Sequence, residues 1–367
     1  MTSKVYFFDI REGARDSILN GIEKIFDAAE FDKLIEPEDL TAVKTHFGER
    51  GNLAYVRPPI IKTIVDKIKS YNGKPFLTDS NVLYRGSRGD AVTHIETAVI
   101  HGFSYSNIGA PIIIADGLEG KEYKKVKIDQ RHFKEVNIGT TALNADSIIS
   151  VAHFKGHEVT GFGGSLKNIG MGFASRSGKQ QMHADVRPVV IEDKCNGDAK
   201  CLKWCPADAI KMINKKARID SAKCIGCAEC IASCRSGAIK IDWTGTAESL
   251  QEKMVEYFYG VAINKKEKMG YINIIMDVSP QCDCYPFNNI PIVPNIGFAA
   301  SLDPVSLDQS SADLVNKQEG IEMSALGSHF KSGNKFRVLN SNVDWEIQLK
   351  YAEKLGLGSR KYELIKV

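Results

Sequence analysis

Short apolar runs alternate with longer amphipathic segments along the first half of the chain. Runs rich in β-branched and aromatic residues predict buried strands, whereas apolar residues spaced three and four apart predict helices. The strands predicted before residue 190 are Val5–Ile10, Leu40–Thr45, Pro75–Thr78, Ile112–Ala115 and Ile148–Ala152. The helices predicted in the same region are Ala14–Ala29, Pro58–Tyr71, which begins with two prolines, and Asp90–His101.

The same alternation resumes after residue 243. A helix is predicted over Ala247–Ala262, a strand over Tyr271–Val278, and two further helices over Asp303–Asn316 and Val343–Leu355. Repeated strand–helix units predict an α/β fold, with a mostly parallel sheet covered by helices on both faces. Because both flanks contribute units, we expect one discontinuous α/β domain, residues 1–189 and 244–367, interrupted over residues 190–243.

Polar side chains follow nearly every predicted strand at its carboxyl end. His46 follows the second strand, Asp79 the third, Asp116 the fourth, His153 the fifth, and Cys282 the strand after the interruption. Parallel sheets bind ligands at this edge, so we expect one cleft to collect these groups. Taken singly, an acid after a strand is more often a turn or helix cap than a catalytic group.

His153 and His157 lie four residues apart and leave two functional interpretations open. On a helix they would share a face and chelate one metal, and in a loop they would hold an anionic substrate. The glycine between them favours the loop. The structural alternative is a pair of histidines satisfied by backbone carbonyls.

Cys282 and Cys284 are separated by a single acid and flanked by prolines. Two thiols this close together after a strand suit a bound metal or a thiolate nucleophile. The alternative is a pair of inert reduced cysteines. The candidate catalytic set is accordingly His46, His153, His157, Lys167, Cys282 and Cys284.

Residues 161–172 contain five glycines and Lys167, which permits close approach of the backbone to a phosphate or carboxylate. The alternative is a tight connection between elements. Neither this stretch nor Gly172–Gln180 has the spacing of a P-loop. No G-x-G-x-x-G follows the first strand, so a Rossmann-type nicotinamide or flavin site is not expected there.

Seven of the nine cysteines belong to a motif that recurs after 29 residues. The first copy is Cys195, Asp198, Cys201 and Cys205, and the second is Cys224, Cys227, Cys230 and Cys234. The spacing of the second copy wraps three thiolates around one iron–sulfur cube and sends the fourth to a neighbouring cube. Zinc sites more often use two Cys-x2-Cys pairs separated by a longer stretch. The repeat therefore predicts two iron–sulfur clusters.

Over Ile191–Trp243 the chain resembles the bacterial-type two-cluster ferredoxins. The resemblance implies an inserted ferredoxin domain, residues 190–243, in which each motif completes the other's cluster. One cluster would take Cys195, Asp198, Cys201 and Cys234, and the other would take Cys224, Cys227, Cys230 and Cys205. Asp198 offers a hard oxygen where soft thiolate is preferred, so this corner should be labile. That cluster would be 3Fe-4S, 4Fe-4S with Asp198 bound, or 4Fe-4S with an exogenous ligand.

A wider resemblance rests on His46–Glu49, His153–His157, Thr160–Gly172 and Ser301–Asp308. These segments look like the family called domain of unknown function 362, and the likeness covers most of the chain. Members often carry a ferredoxin insert, so the resemblance implies an iron–sulfur protein. It names no substrate.

Composition bounds the class and the compartment. The chain has 367 residues, of which 43% are hydrophobic and 25% charged, enough for two or three domains. A formal charge of +3 without a dense basic stripe argues against nucleic acid as a partner. Apolar stretches fall short of the roughly 18 residues of a membrane span, and the start lacks a signal peptide's apolar core. We expect a cytoplasmic protein of an anaerobic or microaerobic cell, where thiols stay reduced.

We therefore expect an iron–sulfur oxidoreductase. Its two clusters would pass single electrons from an external donor, such as ferredoxin or flavodoxin, to an unidentified small molecule in the cleft. One alternative is a ferredoxin-like carrier or partner subunit whose α/β body serves as a docking module. A second is a non-redox transferase or ligand binder with structural clusters. An additional metal at Cys282 and Cys284 and a homo-oligomeric assembly are left open.

Overall fold

The structure is a computed structural model that describes residues 2–11, 17–84, 86–183, 188–203, 205, 207–224, 230, 234, 236–241 and 247–367. The strands are β1 Ser3–Asp9, β2 Leu40–Lys44, β3 Lys74–Thr78, β4 Tyr123–Lys127, β5 Glu135–Gly139, β6 Ser147–His153, β7 Lys155–His157, β8 Gly161–Gly163, β9 Pro188–Val190, β10 Ile210–Ile213, β11 Lys216–Ile219, β12 Ile239–Ile241, β13 Met269–Ile275, β14 Gly297–Ser301 and β15 Tyr362–Lys366.

The helices are α1 Ile18–Ala28, α2 Pro58–Ser70, α3 Ala91–Ile100, α4 Tyr105–Ile108, α5 Thr140–Asn144, α6 Ser165–Gly170, α7 Arg176–Met182, α8 Lys200–Lys203, α9 Ala247–Lys265, α10 Pro304–Lys317, α11 Lys335–Leu339 and α12 Glu346–Lys354. Short 3-10 turns cover Phe31–Leu34, Glu192–Lys194 and Gly327–His329. Within the described ranges, no helix is both long and apolar enough to cross a bilayer.

Seven strands form the central sheet in the order β15-β1-β14-β13-β6-β2-β3. Strand β14 runs antiparallel to both of its neighbours, β1 and β13. The other neighbours pair in parallel, β15 with β1, β13 with β6, β6 with β2, and β2 with β3. The predicted α/β fold with a mostly parallel sheet is confirmed.

Two apolar cores cover the two faces of this sheet. On one face, Phe258 of α9 belongs to the same core as Tyr271 of β13. On the other face, Phe26 of α1 and Ile64 of α2 share a core with Ile272 of β13. Successive side chains of a strand point to opposite faces, so β13 buries apolar residues on both sides. A strand buried in this way shows the continuous apolar run from which it was predicted.

Several details of the predicted elements differ from the structure. Ile112–Ala115 is not a strand of the central sheet, because Ile112 forms an isolated bridge with Leu77 instead. Strand β14 was not predicted, since its small residues give no β-branched run. Strand β15 was missed because it is short, carries two charged residues and lies at the sheet edge. Helix α1 begins after Ser17, whose side chain caps it. The predicted extension over residues 14–16 lies outside the described residues.

The repeated cysteine motif is accompanied by a repeated strand pairing. Ile210 of β10 lies opposite Ile219 of β11, and Ile239 of β12 lies opposite Val190 of β9. Both pairs are antiparallel, and the two are related by the same 29-residue offset as the cysteines. Each pair combines one strand from each half of the repeat, so the two halves interlock.

Candidate functional site

A cavity of about 530 Å³ opens at the carboxyl end of the parallel strands. It is lined by five of the six predicted catalytic residues, His46, His157, Lys167, Cys282 and Cys284. Its apolar lining includes Val82, Leu83, Tyr84, Met171 and Leu250. A cavity of this size and mixed lining is typical of small-molecule sites. Of the groups expected to converge from the strand ends, His46, Asp79 and Cys282 line this cavity, whereas Asp116 and His153 do not.

Two sulfur atoms stand side by side in the cavity. Cys282 Sγ and Cys284 Sγ lie 3.0 Å apart in the turn that follows β13. Lys167 Nζ, from α6, donates to Cys282 Sγ at 3.5 Å. His46 Nε2 lies 3.5 Å from Cys284 Sγ. Each sulfur thus has its own nitrogen partner.

The surroundings of the two thiols push their pKa values apart. The hydrogen bond between the two sulfurs lowers the pKa of Cys282 to about 6, and Lys167 acts in the same direction against the effect of burial. The same sulfur–sulfur contact and burial raise the pKa of Cys284. The pKa of Lys167 is raised, because the nearby sulfurs outweigh the effect of its burial. At neutral pH the pair therefore consists of a Cys282 thiolate and a Cys284 thiol.

His46 is oriented to donate from its Nε2 atom. Its Nδ1 accepts a hydrogen bond from the backbone N–H of Gly48 at 3.0 Å, which leaves the ring proton on Nε2, facing Cys284. Burial lowers the pKa of His46 to about 4, so the ring is neutral at pH 7. A metal-bound histidine instead donates its second N–H to an acceptor. His46 therefore fits a proton donor better than a metal ligand beside the two cysteines.

His157 has the same tautomer. Its Nδ1 accepts hydrogen bonds from the backbone N–H groups of Val159 and Thr160, each at 3.1 Å. The ring proton is therefore on Nε2, which lies 3.9 Å from Glu158 Oε1. Burial lowers the pKa of His157 to about 4. His157 lines the cavity as a neutral hydrogen-bond donor.

His153 lies behind the cavity wall, not in it. Its Nδ1 is 2.9 Å from both carboxylate oxygens of Asp283, and its Nε2 is 2.9 Å from Met276 O. Lys155 Nζ lies 3.1 Å from Asp283 Oδ2. Burial opposes ionisation, yet His153 and Lys155 hold the pKa of Asp283 well below its usual range.

The predicted joint site of His153 and His157 is therefore corrected. The two residues end the strands β6 and β7, so they stand neither on one helix nor in one loop. His153 is a positioning residue for Asp283, the acid between the two cysteines. Asp283 itself was missed as a functional residue, because in the sequence it only separates the cysteines.

A second buried ionic network lines the cavity and was absent from the predicted catalytic set. Lys44 Nζ lies 3.0 Å from Asp79 Oδ1. Arg88 joins Asp79 to Glu49, with Nη1 3.6 Å from Asp79 Oδ2 and Nε 3.2 Å from Glu49 Oε2. Burial opposes ionisation of Asp79, but Lys44 and the other nearby cationic groups hold its pKa well below its usual range. Asp79 had a sequence signal in its position after a strand, whereas Lys44 and Arg88 had none.

Lys179 adds a titratable group to the cavity lining. Its Nζ donates to the hydroxyl of Ser80 and, at 2.8 Å, to Ala174 O. Burial lowers the pKa of Lys179 to about 8, although the nearby carboxylate of Asp116 acts to raise it. Near pH 8 this amine exists in both protonation states. It can therefore give or accept a proton at the cavity surface.

The glycine-rich stretch brings the backbone against a carboxylate of the protein itself. A Cβ atom on Gly164 would lie 2.4 Å from Asp308 Oδ1. The Asp308 carboxylate accepts hydrogen bonds from Ser165 N at 2.7 Å and Leu166 N at 2.9 Å, at the start of α6. The close approach that the glycines permit is therefore to Asp308, which occupies the place expected for a bound phosphate or carboxylate.

Four residues of the repeated motif line one small cavity, Cys195, Asp198, Cys201 and Cys234. The first three belong to the first copy, and Cys234 belongs to the second. Backbone N–H groups donate to the sulfurs, from Ala217 to Cys195 at 3.5 Å and from Ala238 to Cys234 at 3.2 Å. Three thiols and one carboxylate, with N–H groups directed at sulfur, form a donor set whose chemistry suits an iron–sulfur cluster.

The second predicted ligand set is described in part. Cys205, Cys224 and Cys230 belong to the described residues, and Cys227 lies outside them. Cys205 Sγ accepts from Ala209 N at 3.3 Å, the counterpart of the bond from Ala238 to Cys234. Cys201 and Cys230, at equivalent positions of the two copies, are both buried in one small core. In the part of the chain that the structure describes, no group of three or more His, Cys, Asp or Glu side chains is placed to hold a single metal ion.

Comparison with known proteins gave three findings. A family model described as domain of unknown function (DUF362) matches residues 41–313. A search of curated proteins gave no match. Among solved structures, the lactate racemase apoprotein from Thermoanaerobacterium thermosaccharolyticum is similar at 11% sequence identity and a TM-score of 0.40, over 76% of this chain and 51% of the racemase chain. The chain thus spans about half the length of that racemase.

Proposed function

We propose that this chain, which belongs to the family described as domain of unknown function (DUF362), is an iron–sulfur oxidoreductase. Its two clusters supply single electrons, and its substrate is a small molecule bound in the 530 Å³ cavity. The observation that carries the proposal is that Cys234 lines the same small cavity as Cys195, Asp198 and Cys201. A ligand contributed by the opposite motif is what the spacing of two-cluster proteins requires.

We propose that residues 190–243 form an inserted ferredoxin domain. One cluster is held by Cys195, Asp198, Cys201 and Cys234, and the other by Cys224, Cys227, Cys230 and Cys205. The interlocked strand pairs β10–β11 and β12–β9 support this assignment, because they give the repeat the two-fold relation that cross-ligation needs. The carboxylate of Asp198 makes its cluster the more labile of the two.

The side chains of the large cavity have distinct roles in this proposal. Cys282 is the reactive thiolate, Lys167 is its counter-ion, and His46 donates to Cys284. His157 offers its Nε2–H to the substrate. His153 is not in contact with the substrate and holds Asp283 in place. A metal at Cys282 and Cys284 is not part of the proposal, because the tautomer of His46 does not suit a third ligand.

The electrons come from an external one-electron donor such as a ferredoxin or flavodoxin. We place the protein in the cytoplasm of an anaerobic or microaerobic cell, because thiols remain reduced there and a labile cluster survives. The cavity favours an enzyme over a plain electron carrier, since a carrier has no use for a buried thiolate beside a lysine in a cavity of substrate size.

Anaerobic purification tests the cluster assignment directly. Iron and acid-labile sulfide should each approach about seven to eight atoms per chain, the content of two nearly complete cubes. Addition of dithionite should then give the paramagnetic signals of reduced clusters. Protein without iron and sulfide, even after reconstitution, contradicts the proposal. Clusters that dithionite cannot reduce leave the non-redox transferase or ligand binder.

A double variant separates an enzyme from an electron carrier. Cys282→Ser/Cys284→Ser should keep both clusters and their reduction by dithionite, because neither residue belongs to the predicted ligand sets. Reoxidation of the reduced clusters by small-molecule acceptors, followed under argon, should be lost. Reoxidation at the rate of the unmodified protein favours a carrier with a docking body.

A further inference from the structure

The two cysteines of the cavity have the geometry of a reactive pair, not of inert core residues. Their sulfurs are 3.0 Å apart, and both side chains line the cavity. Lys167 Nζ contacts one sulfur and His46 Nε2 the other, each at 3.5 Å. A small shift of one side chain would bring the sulfurs to the bonding distance of a disulfide, about 2.05 Å.

We propose that Cys282 and Cys284 form a dithiol–disulfide couple that reduces a small organic disulfide bound in the cavity. The inference deepens the proposed function by naming the substrate class, and it rests on that function for the source of electrons. Thiolate attack on sulfur is the characteristic reaction of such a pair.

The first step breaks the sulfur–sulfur bond of the substrate. The Cys282 thiolate attacks one substrate sulfur, forming a mixed disulfide and expelling the other half as a thiolate. That thiolate takes a proton from Lys167, whose ammonium group has just lost its anionic partner. One disulfide bond is broken and one is formed, so the electron count is unchanged at this stage.

The second step closes the protein disulfide. Cys284 gives its proton to the second departing thiolate, and its sulfur attacks Cys282 Sγ. The bond between Cys282 and the substrate breaks as the bond between Cys282 and Cys284 forms. In sum, one thiolate, one thiol, one proton and one substrate disulfide become one protein disulfide and two substrate thiols. Two electrons and one proton then return the protein disulfide to a thiolate and a thiol. A further proton restores the ammonium group of Lys167.

The electrostatics of the site suit each participant. The pKa of Cys282, about 6, lies near ambient pH, where an attacking thiol combines thiolate content with nucleophilicity. The raised pKa of Cys284 keeps its proton in place until a leaving thiolate needs it. The apolar lining of Leu83, Met171 and Leu250 suits the organic part of a small disulfide.

The experiment uses the anaerobic holoprotein, reduced with dithiothreitol, desalted, and mixed with bis(2-hydroxyethyl) disulfide. The readout is the tryptic peptide Met269–Lys317, whose two cysteines are Cys282 and Cys284. We expect this peptide to become two hydrogens lighter and to resist alkylation, while two equivalents of mercaptoethanol are released. Because the readout is one peptide, the cysteines of the repeated motif do not interfere.

Single variants report the order of attack. Cys284→Ser should trap one mercaptoethanol on Cys282, because the resolving thiol is missing. Cys282→Ser should give neither the trapped adduct nor the internal disulfide. An adduct that forms on Cys284 in Cys282→Ser as fast as on Cys282 in Cys284→Ser overturns the assigned roles.

Lys167 is tested as the residue that keeps Cys282 ionised. In the Cys284→Ser background, where the adduct is trapped, Lys167→Met should slow adduct formation about threefold at pH 7, because an ordinary cysteine is a few per cent thiolate there although its thiolate is the better nucleophile, and the rate should rise towards pH 9. Lys167→Arg keeps the charge and should retain most of the rate. Lys124→Met, at an exposed position of β4, is the matched control and should leave the rate unchanged. An unchanged pH profile in Lys167→Met contradicts the assignment.

The outcomes for the pair and for the clusters are separable. Intact, reducible clusters with a peptide that never closes its disulfide overturn this inference and leave the proposed function standing. Closure of the disulfide in protein that never takes up iron and sulfide supports the inference and removes the proposed electron source.

Discussion

Asp283 is the residue on which the geometry of the thiol pair depends. Its carboxylate is fully buried and meets His153 at 2.9 Å and Lys155 at 3.1 Å. Its backbone carbonyl also accepts a hydrogen bond from Glu49 N, which ties the turn after β13 to the segment after β2. One acid thus fixes the positions of both flanking cysteines relative to His46.

The substitution Asp283→Asn should destabilise the protein by about 3–5 kcal/mol, because it leaves the buried Lys155 without its counter-charge. Thermal and urea unfolding under argon measure this loss. Asp66→Asn is the control, since Asp66 forms an exposed pair with Lys62 and its loss should cost about 1 kcal/mol or less. A loss for Asp283→Asn as small as that of the control contradicts the prediction.

Among single residues, those that directly follow strands could be predicted from the sequence. The buried charged residues that line the same cavity were missed. His46, Cys282 and Cys284 could be found because the carboxyl edge of a parallel sheet is predictable from the strands themselves. Arg88 and Lys44 could not be found from the sequence, because a buried cation is recognised only once its acidic partner is known. That partner, Asp79, is distant in sequence from Lys44 and meets it in the folded chain.

Among the elements, helix α10 shows how one side chain serves two purposes. Asp303 accepts hydrogen bonds from Val305 N at 2.8 Å and Ser306 N at 2.9 Å, which caps the helix. Its second oxygen accepts from Ser359 N at 2.8 Å and from the Ser3 hydroxyl at 2.7 Å. The cap therefore also joins the chain before β15 to the start of β1.

Asp303→Ala should lower the free energy of unfolding by about 2–4 kcal/mol, the sum of a lost cap and two lost hydrogen bonds. Asp90→Ala, which removes a local cap of α3, should cost about 1 kcal/mol and serves as the matched variant. Urea unfolding compares the two. Equal losses in both variants would show that the bonds to Ser359 and Ser3 add nothing.

Asp198, which stands where the second copy of the repeated motif has a cysteine, provides a further prediction. Asp198→Cys supplies the soft ligand that the second copy has at the equivalent position, so the proposed cluster at this motif should keep all four irons during mild oxidation. Electron paramagnetic resonance after ferricyanide treatment should show a 3Fe-4S signal in the unmodified protein and a much weaker one in the variant. Asp198→Ser is the control and should not gain this resistance. Equal signals in Asp198→Cys and the unmodified protein contradict the prediction.

Elements were predictable where their periodicity was strong. Helices α2 and α3 and strands β2, β3 and β6 lie within a residue or two of their predicted bounds. The residues of Ile112–Ala115 have the apolar run of a strand, yet the chain there takes a single bridge to Leu77 and then turns at Asp116. Only Ile114 and Ala115 of this run are buried, so an apolar run by itself specifies neither burial nor strand pairing.

For the molecule as a whole, four histidines with lowered pKa values predict instability in acid. Burial lowers the pKa of His46 and His157 to about 4 and that of His94 and His183 to about 3. In the unfolded chain each ring titrates near pH 6.5. Between that value and about pH 4, the unfolded chain therefore binds more protons than the folded protein, and the free energy of unfolding falls as pH falls.

Two buried acids act in the opposite direction. Burial raises the pKa of Asp116 and Asp308 to about 6, so the folded protein binds their protons first and gains stability as pH falls from about 6 to 4. Four histidines outweigh two acids. Cys282 adds to the loss, because its pKa is about 6 in the folded protein and about 8.5 in the unfolded chain, and we expect a net loss of about 3–4 kcal/mol between pH 6.5 and 5.5.

Thermal unfolding at pH 7.5, 6.5 and 5.5, followed by circular dichroism under argon, measures this dependence. The midpoint should fall by several degrees over the last interval. His94→Asn removes one of the four titrations and should make the decline shallower, whatever it does to stability at pH 7.5. A midpoint that is constant or rises on acidification contradicts the prediction.

The pairing of β9 with β12 has a consequence for the architecture of the chain. Because Val190 and Ile239 are partners in one antiparallel ladder, the polypeptide enters and leaves the cysteine-rich segment at neighbouring points, some 4.5–5.5 Å apart. The strand pair β9–β12 therefore forms the base of the cysteine-rich segment and holds its two ends together. Two or three glycines bridging that base should let the surrounding α/β body fold without it.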